Sequence, residues 1–483
     1  MKLRVFSVLL PLSISLLVDA SLQSPLVFQG LGASEIFDKL KNTFIPPEYT
    51  KEGRIDETIS YKSLEAELWP LDLTQYENYK IIRIPLHGQE DKTVSKQLIE
   101  LKTIYPIWEV NNKFIDLKIP QNDLKYLEEL EINYSILIDD LPQTIFETFP
   151  SETEDFNQIL TQDFTTNKEI FFEKYRTLDT IYSWLDLIKD SFPELVEIEH
   201  LGETFEKRDI KAIHLGSNAG LNPEKKTIVI TGGVHAREWI SVSTALYTIY
   251  QLVTKYGVSK KETNYLNHLE FLIIPVFNPD GYEYTWTKDR LWRKNRQETY
   301  LDSCFGVDID HTFNYHWEKS DDYPCGESYS GEEEFASVEA QALNHYINIT
   351  KEDHRIYGFL DLHSYTEKIL YPYAYSCDDL PRDRENLLEL AYGLSKSIRL
   401  EKGKHYEVLP ACKDRGVDIL PGLGAGSSLD YMYHNRARWA FQFKLRDTGS
   451  HGFLLPDRYI KPVGKELYRA IQYFCQFIIN PEL

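Results

Sequence analysis

Basic residues are scarce in this chain of 483 residues, because 53 Lys and Arg stand against 75 Asp and Glu and give a formal net charge of -22. Nucleic-acid binding requires a basic surface that displaces counterions, so this balance argues against a nucleic-acid partner. Cysteine is also rare, and its five residues permit at most two disulfides. The sequence shows no evident internal repeat, which argues against solenoids and propellers.

Long apolar runs are absent after the first twenty residues, so we predict no membrane-spanning segment. Lys2 precedes an apolar stretch that Pro11 interrupts and that ends at the small residue Ala20. The stretch is shorter than the roughly 20 apolar residues of a spanning helix. We therefore predict a secretory signal peptide over residues 1–20 rather than an anchor, with the cell exterior or a vacuole as destination. Secretion would make two N-glycan sequons meaningful: Asn133 and Asn348.

The remaining chain predicts two domains. Its composition, with 42% hydrophobic and 27% charged residues, is that of a globular protein. Its length exceeds what a single hydrophobic core usually organises. Residues 21–70 show no clear period, and we expect little order there. Residues 71–142 alternate strand-like runs such as YKIIRIPL with amphipathic stretches, which predicts a small α+β domain. Residues 143–170 are acidic and polar, as is typical of a solvated connector. Residues 171–483 predict an α/β domain with a mixed, largely parallel central sheet flanked by helices.

Two histidines at the ends of apolar runs carry the main functional signal. Thr-Gly-Gly-Val-His235-Ala-Arg-Glu238 follows the run TIVI, and Leu-Asp-Leu-His363 ends another run. Functional sites gather at strand ends in open α/β sheets. The tetrapeptide His-x-x-Glu alone would be explained as well by a chance surface pair. Together, two histidines and a glutamate are the protein ligands of an open zinc site, so we predict one Zn²⁺ on His235, Glu238 and His363. Asp308 is the candidate acceptor for the far nitrogen of His235, with an ordinary turn aspartate as the alternative.

Five segments resemble the sequence blocks of the metallocarboxypeptidase family that includes pancreatic carboxypeptidases A and B. They are TGGVHAREW, NPDGYEYTWTKDRLWRKNR, CFGVDID, LDLHSYTEKILYPYAY and FKLRDTGSHGFLLP, in the family's order and spacing. The resemblance covers nearly all of residues 171–483 and implies the carboxypeptidase fold. The domain at 71–142 is similar, by position and pattern, to the propeptide domain that caps the cleft in that family's proenzymes.

The cysteines fit the same resemblance. It implies a disulfide between Cys304 and Cys325, which bracket a loop of about twenty residues. Cys377 and Cys412 are a second candidate pair, offered as a guess. Cys475 lies in the apolar run IQYFCQFII, which predicts a buried helical thiol.

One departure from the family bears directly on catalysis. In active members, the glutamate of a Phe-Glu-Leu-Arg-Asp-Thr-Gly block is the general base; here that position is Lys444. A protonated lysine has three hydrogen-bond donors and no acceptor. Loss of general-base assistance costs about 10²- to 10⁴-fold in rate. The resemblance therefore implies a pseudoenzyme, similar to the fungal inactive metallocarboxypeptidase-like proteins linked with cell-wall organisation.

The family's grip on substrate is altered as well. Asp310 and His311 stand where active members carry Asn-Arg, and an imidazole beside an aspartate cannot replace an arginine fork. Gly422 occupies the position of the tyrosine that closes over substrate. Five other positions match the family's substrate cleft: Arg237, Arg293, Ser364, Tyr365 and Leu429. For the two arginines, a structural salt bridge is the alternative role.

Three functions follow as hypotheses. The leading one is a secreted zinc-binding pseudopeptidase that binds a peptide C-terminus or a cell-wall component without cutting it. The second is an active carboxypeptidase with an atypical base, for which the candidates are Asp310, Glu283 and a neutral Lys444. The third is a purely structural protein whose N-terminal domain never leaves the cleft, since no dibasic site lies between residues 141 and 167. The sequence sets no oligomeric state.

Overall fold

The structure, a computed structural model, describes most of the chain from residue 71 onward. The described ranges are 71–86, 101, 104–111, 113–150, 169–217, 224–414 and 424–480. The predicted signal peptide and the segment 21–70 lie outside the described residues, as does Gly422. Within the described ranges, every helix is too short or too polar to span a lipid bilayer.

The N-terminal domain is built on a four-stranded sheet in the order β2-β3-β1-β4, and two short helices are described in full. Its strands are β1 Tyr79–Pro85, β2 Ile107–Val110, β3 Phe114–Pro120 and β4 Ser135–Ile138. The two are α1 Leu124–Glu129 and α2 Leu141–Phe146. Along β3 the side chains alternate between faces, so Ile115, Leu117 and Ile119 fill this domain's own core with Leu127. Asp116 therefore points from the opposite face, toward the larger domain.

The region around α2 corrects the predicted connector. Leu141, Ile145 and Phe149 are buried at four-residue spacing, and Asp140 caps the helix by accepting from the backbone N–H of Gln143. The Phe149 ring lies 5.2 Å from that of Trp239 in the larger domain. The prediction of a solvated connector from residue 143 is therefore wrong for residues 143–150, because the polar residues there occupy only the outer face of a packed helix. Residues 151–168 lie outside the described ranges.

The larger domain is built on an eight-stranded sheet in the order β11-β10-β12-β9-β7-β8-β6-β5. Its strands are β5 Val196–Glu203, β6 Asp209–Leu215, β7 Lys226–Thr231, β8 Leu269–Ile274, β9 Arg355–Ser364, β10 Lys368–Tyr371, β11 Glu407–Pro410 and β12 Trp439–Leu445. The central strands β12, β9, β7 and β8 run parallel, while β5, β6 and β10 join their inner neighbours in antiparallel pairing. The predicted mixed, largely parallel sheet is confirmed.

Helices flank this sheet. They are α3 Leu178–Ser191, α4 Trp239–Lys255, α5 Lys260–His268, α6 Pro279–Thr287, α7 Val338–Ile349, α8 Arg384–Lys402, α9 Ala411–Asp414, α10 Ser428–Asn435 and α11 Ile460–Ile479. α4 is buried from Trp239 to Val253 because it packs against β8, β9 and α11, and α11 also contacts α8 and the sheet. The first turn of α4 is thereby held rigidly at the edge of the sheet where β7 ends.

Both predicted disulfides are present. Cys304 joins Cys325 with their Cα atoms 4.7 Å apart, and Cys377 joins Cys412 at 5.4 Å. Cys475 is a buried free thiol on α11, as the apolar run predicted. Asn133 and Asn348 are both exposed, which leaves glycosylation at either residue a prediction.

Candidate metal centre and cleft

The three predicted metal ligands meet where β7 and β9 end. His235 follows β7, Glu238 directly precedes α4, and His363 is the penultimate residue of β9. His235 Nδ1 is 2.9 Å from Glu238 Oε1, and His363 Nδ1 is 3.1 Å from both His235 Nδ1 and Glu238 Oε2. All three side chains are buried. Their donor atoms therefore converge on one point although 125 residues separate Glu238 from His363.

Each histidine is oriented by a carboxylate behind it. His235 Nε2 donates to Asp308 Oδ1 at 3.1 Å, and His363 Nε2 donates to Asp361 Oδ2 at 2.9 Å. Burial opposes the charge of Asp308, but Arg293 and His311 hold its pKa well below the usual value. Both Nδ1 atoms are thus left to bind a cation, and such carboxylate–histidine pairs are typical of zinc sites. The donor set and its spacing fit a Zn²⁺ ion.

Lys444 lies beside this centre. In the parallel pairing of β12 with β9, Lys444 stands opposite His363. A cavity of about 310 Å³ contains the three metal ligands and Lys444 in its lining. The lysine therefore occupies the site from which a general base would face the metal ligands.

Three buried charged residues lie around the Lys444 ammonium group and form a cluster of four charges with it. Lys444 Nζ lies 2.9 and 2.8 Å from the two carboxylate oxygens of Glu109, which comes from β2 of the N-terminal domain. Asp414 Oδ2 is 2.6 Å from the same nitrogen. Lys368, the neighbour of Lys444 across β10 and β12, pairs with Asp414 and lies 3.7 Å from Glu109. We call these four residues the charge cluster; its two lysines and two carboxylates balance.

Three of the predicted substrate-binding residues line the cavity, namely Arg293, His311 and Ser364. Arg293 holds Asp308 with two hydrogen bonds, at 3.1 and 2.8 Å. His311 Nδ1 donates to the Ala425 carbonyl at 3.0 Å. The Arg293 fork and the His311 donor are thus already engaged by the protein.

The other four predicted substrate-binding residues do not line this cavity, so their role in binding stays a prediction. Arg237 is buried and held by both oxygens of Glu327, at 2.9 and 3.1 Å, so the alternative of a structural salt bridge holds for it. Asp310 accepts from the backbone and hydroxyl of Ser428, at 3.1 and 2.9 Å. Two further residues are fully buried: Tyr365 and Leu429.

Neither alternative carboxylate base lines the cavity that contains the metal ligands. A carboxylate oxygen of Asp310 lies within 4.8 Å of a His363 ring nitrogen, but this carboxylate accepts from Ser428. Glu283 lies on α6. Burial, reinforced by Asp179, raises the pKa of Glu283. Of the three candidate bases, only Lys444 lines the cavity that contains the metal ligands.

Sequence reasoning missed several residues of this centre. Asp361 had a usable signal, because residues two apart on a strand share a face and Asp361 precedes His363 by two. Glu109 and Asp414 had none, since 335 residues separate Glu109 from its lysine partner. Tyr365 was placed in the substrate cleft, but its hydroxyl donates to Asp116 of the N-terminal domain.

Comparison with known proteins identifies the class of this fold and site. The zinc carboxypeptidase family, peptidase M14, matches residues 181–470, so the chain belongs to that family. Among curated relatives, the inactive metallocarboxypeptidase ECM14 of Saccharomyces cerevisiae is 58% identical over 383 residues, 78% of this chain and 87% of the relative. The protein of the same name from Ajellomyces dermatitidis is 35% identical over 97% of this chain and 82% of its own length. The prediction of a carboxypeptidase-like pseudoenzyme is confirmed.

Solved structures agree with this family membership. The crystal structure of thrombin activatable fibrinolysis inhibitor superposes with a TM-score of 0.71 at 26% identity, over 83% of this chain and 99% of that one. Carboxypeptidase A from Helicoverpa armigera gives 0.70 at 22% identity, over 83% and 97%. The predicted carboxypeptidase fold is confirmed.

Proposed function

We propose that this protein is a zinc-binding pseudopeptidase that acts by binding, and that Lys444 at the base position, together with the loss of the carboxylate clamp, prevents peptide hydrolysis. The observation that carries the proposal is the position of the Lys444 ammonium group between Glu109 and Asp414, opposite His363. The Lys444 ammonium group donates to both oxygens of Glu109, and Asp414 Oδ2 lies within hydrogen-bonding distance on the same nitrogen. A charged lysine cannot accept a proton, so it cannot act as a general base.

His235, Glu238 and His363 would hold the zinc ion, with Asp308 and Asp361 fixing the two imidazoles. When bound, zinc supplies Lewis-acid polarisation of a carbonyl oxygen. In this chain the residues around it bind and orient but do not move a proton. Arg293 is held by Asp308, and the arginine fork that would bind a terminal carboxylate is replaced by Asp310 and His311.

The N-terminal domain also supports a function in binding rather than hydrolysis, because it covers the cleft with specific contacts. Trp108 packs on Phe453 with ring centroids 5.1 Å apart. Asp116 accepts from the Tyr365 hydroxyl and from Arg83. A ligand such as a peptide C-terminus or a cell-wall component would therefore compete with this domain for the cavity. This competition also relates the third hypothesis, a permanently capped cleft, to the first.

We place the protein in the secretory pathway, either outside the cell or in a vacuole. The signal-like sequence at residues 1–20 and the two exposed sequons support this placement. The resemblance to fungal proteins linked with cell-wall organisation supports a role there through binding.

The test measures zinc content and hydrolysis on the same purified protein. We expect zinc to be retained after dialysis, and no free amino acid to be released from peptides with aromatic, aliphatic or basic C-termini. The assay is repeated after proteolytic removal of the N-terminal domain, verified by mass spectrometry, so that a covered cleft is not mistaken for a missing base.

Two variants sharpen the result. Lys444→Glu restores the base but not the carboxylate clamp, so we expect no recovery of hydrolysis. His235→Ala is the control that disables the metal centre. Amino-acid release by the unaltered protein that His235→Ala abolishes would refute the proposal and establish an active carboxypeptidase.

A further inference from the structure

We propose that the protein contains a second zinc site, formed by His214, Glu270 and His354 at the edge of the sheet opposite the first. His214 lies on β6, Glu270 on β8, and His354 directly precedes β9. One donor atom from each lies within 4.8 Å of the other two. Two imidazoles and a carboxylate are the same ligand types that the first centre offers.

The sheet brings these residues together at its N-terminal edge. His214 pairs in register with Leu272, so Glu270, two residues away on β8, shares its face. Glu270 pairs with Thr227 on β7, and Thr227 pairs with Ile356 on β9, two residues after His354. β7, β8 and β9 begin at this edge, and the first metal centre lies at their opposite ends. Nine residues along β9 separate His354 from His363, so the two sites are about 30 Å apart at about 3.3 Å per residue.

The donor atoms are buried and lack hydrogen-bond partners. His214, Glu270 and His354 are 2%, 1% and 4% exposed. His214 Nε2 is 3.3 Å from Glu270 Oε2, yet neither atom makes a hydrogen bond, nor does His354 Nδ1. The Thr227 hydroxyl beside Glu270 is also buried without a partner. Leaving a buried polar atom unsatisfied is unfavourable, so several such atoms facing one another favour a cation bound between them.

The geometry and surroundings favour zinc. Donors around a tetrahedral zinc with bonds of about 2.0 Å lie about 3.3 Å apart, which matches the separation of His214 and Glu270. The far nitrogen of His354 is 3.1 Å from the Tyr346 hydroxyl, and that of His214 is 3.9 Å from Glu199. Such oxygen partners behind the imidazoles orient histidine ligands. Because the three ligands are buried, we infer a structural role: the ion ties β6, β8 and the start of β9 together.

The experiment counts zinc ions in the full-length protein. The protein is dialysed against zinc-free buffer and its zinc is measured by mass spectrometry. We expect about two zinc ions per chain, about one in Glu270→Gln and about one in His235→Ala. Glu270→Gln keeps the shape of the side chain and removes only its charge. Glu339→Gln, another buried glutamate that belongs to neither triad, is the matched control and should retain two.

A single zinc ion in the unaltered protein that His235→Ala removes would overturn the proposal, as would two ions that Glu270→Gln leaves unchanged. If Glu270→Gln does not fold, crystals of the unaltered protein decide the question. Anomalous scattering at the zinc edge should give a peak between His214, Glu270 and His354. Absence of that peak would equally overturn the second site.

Discussion

The charge cluster makes a quantitative prediction about the contact between the two domains. In Glu109→Gln, Lys444 keeps Asp414 as a partner but the cluster carries one uncompensated positive charge. Glu109 and Lys444 have side chains only 5% and 13% exposed. Removing one partner of a buried ion pair costs about 3–5 kcal/mol, and because Asp414 remains we expect about 3 kcal/mol. Lys444→Gln should cost a similar amount, because Glu109 then retains only Lys368, 3.7 Å away.

The double variant Glu109→Gln/Lys444→Gln leaves Lys368 and Asp414 as a balanced pair. Its loss of stability should therefore be smaller than the sum of the single losses by about 2–3 kcal/mol, at the upper end of couplings between contacting residues. The assay is the free energy of unfolding in urea for the four proteins of this cycle, at one pH and ionic strength.

Lys113 and Glu407 provide the matched control. They also join the two domains, at 2.8 Å, but their side chains are 58% and 45% exposed. An exposed pair contributes about 0–1 kcal/mol, so Lys113→Gln should have little effect. A Glu109–Lys444 coupling as small as that of the exposed pair would refute the reasoning that burial makes the cluster strong.

Three further predictions concern stability. Burial raises the pKa of Glu339 to about 7 from 4.5, so its carboxyl group costs nothing below pH 4.5 and destabilises the fold as the pH rises to about 7. Since a tenfold change in proton affinity is worth about 1.4 kcal/mol, Glu339→Gln should match the unaltered protein in urea unfolding at pH 4.5 and exceed it by up to roughly 3 kcal/mol at pH 8; equal stability at both pH values would contradict this. Replacing Cys377 and Cys412 by serine opens a cross-link between residues 35 apart and should lower the unfolding free energy by about 3–4 kcal/mol under non-reducing conditions, an effect that vanishes in reductant. Tyr365→Phe removes the hydroxyl that donates to Asp116 and should cost about 1.5–3 kcal/mol, whereas an unchanged midpoint would show that Arg83 alone satisfies that carboxylate.

The sequence alone determined the features that depend on local pattern. Short apolar runs such as YKIIRIPL and TIVI predicted the strands β1 and β7, because the side chains that a strand buries are set by the local order of apolar residues. The blocks around His235 and His363 predicted the metal ligands, since each motif is contiguous in the sequence. The replacement of the base by Lys444 was equally visible, because it needs only one position in one block.

Only the tertiary structure decided which charges meet. Glu109, Asp414 and Lys368 carry no local signal, yet packing of β2 against the cleft makes them the partners of Lys444. The same holds for the triad of His214, Glu270 and His354, which three separate strands align at one edge of the sheet. Pairings of this kind depend on strand order and register, which arise from the burial of the whole core rather than from any one segment.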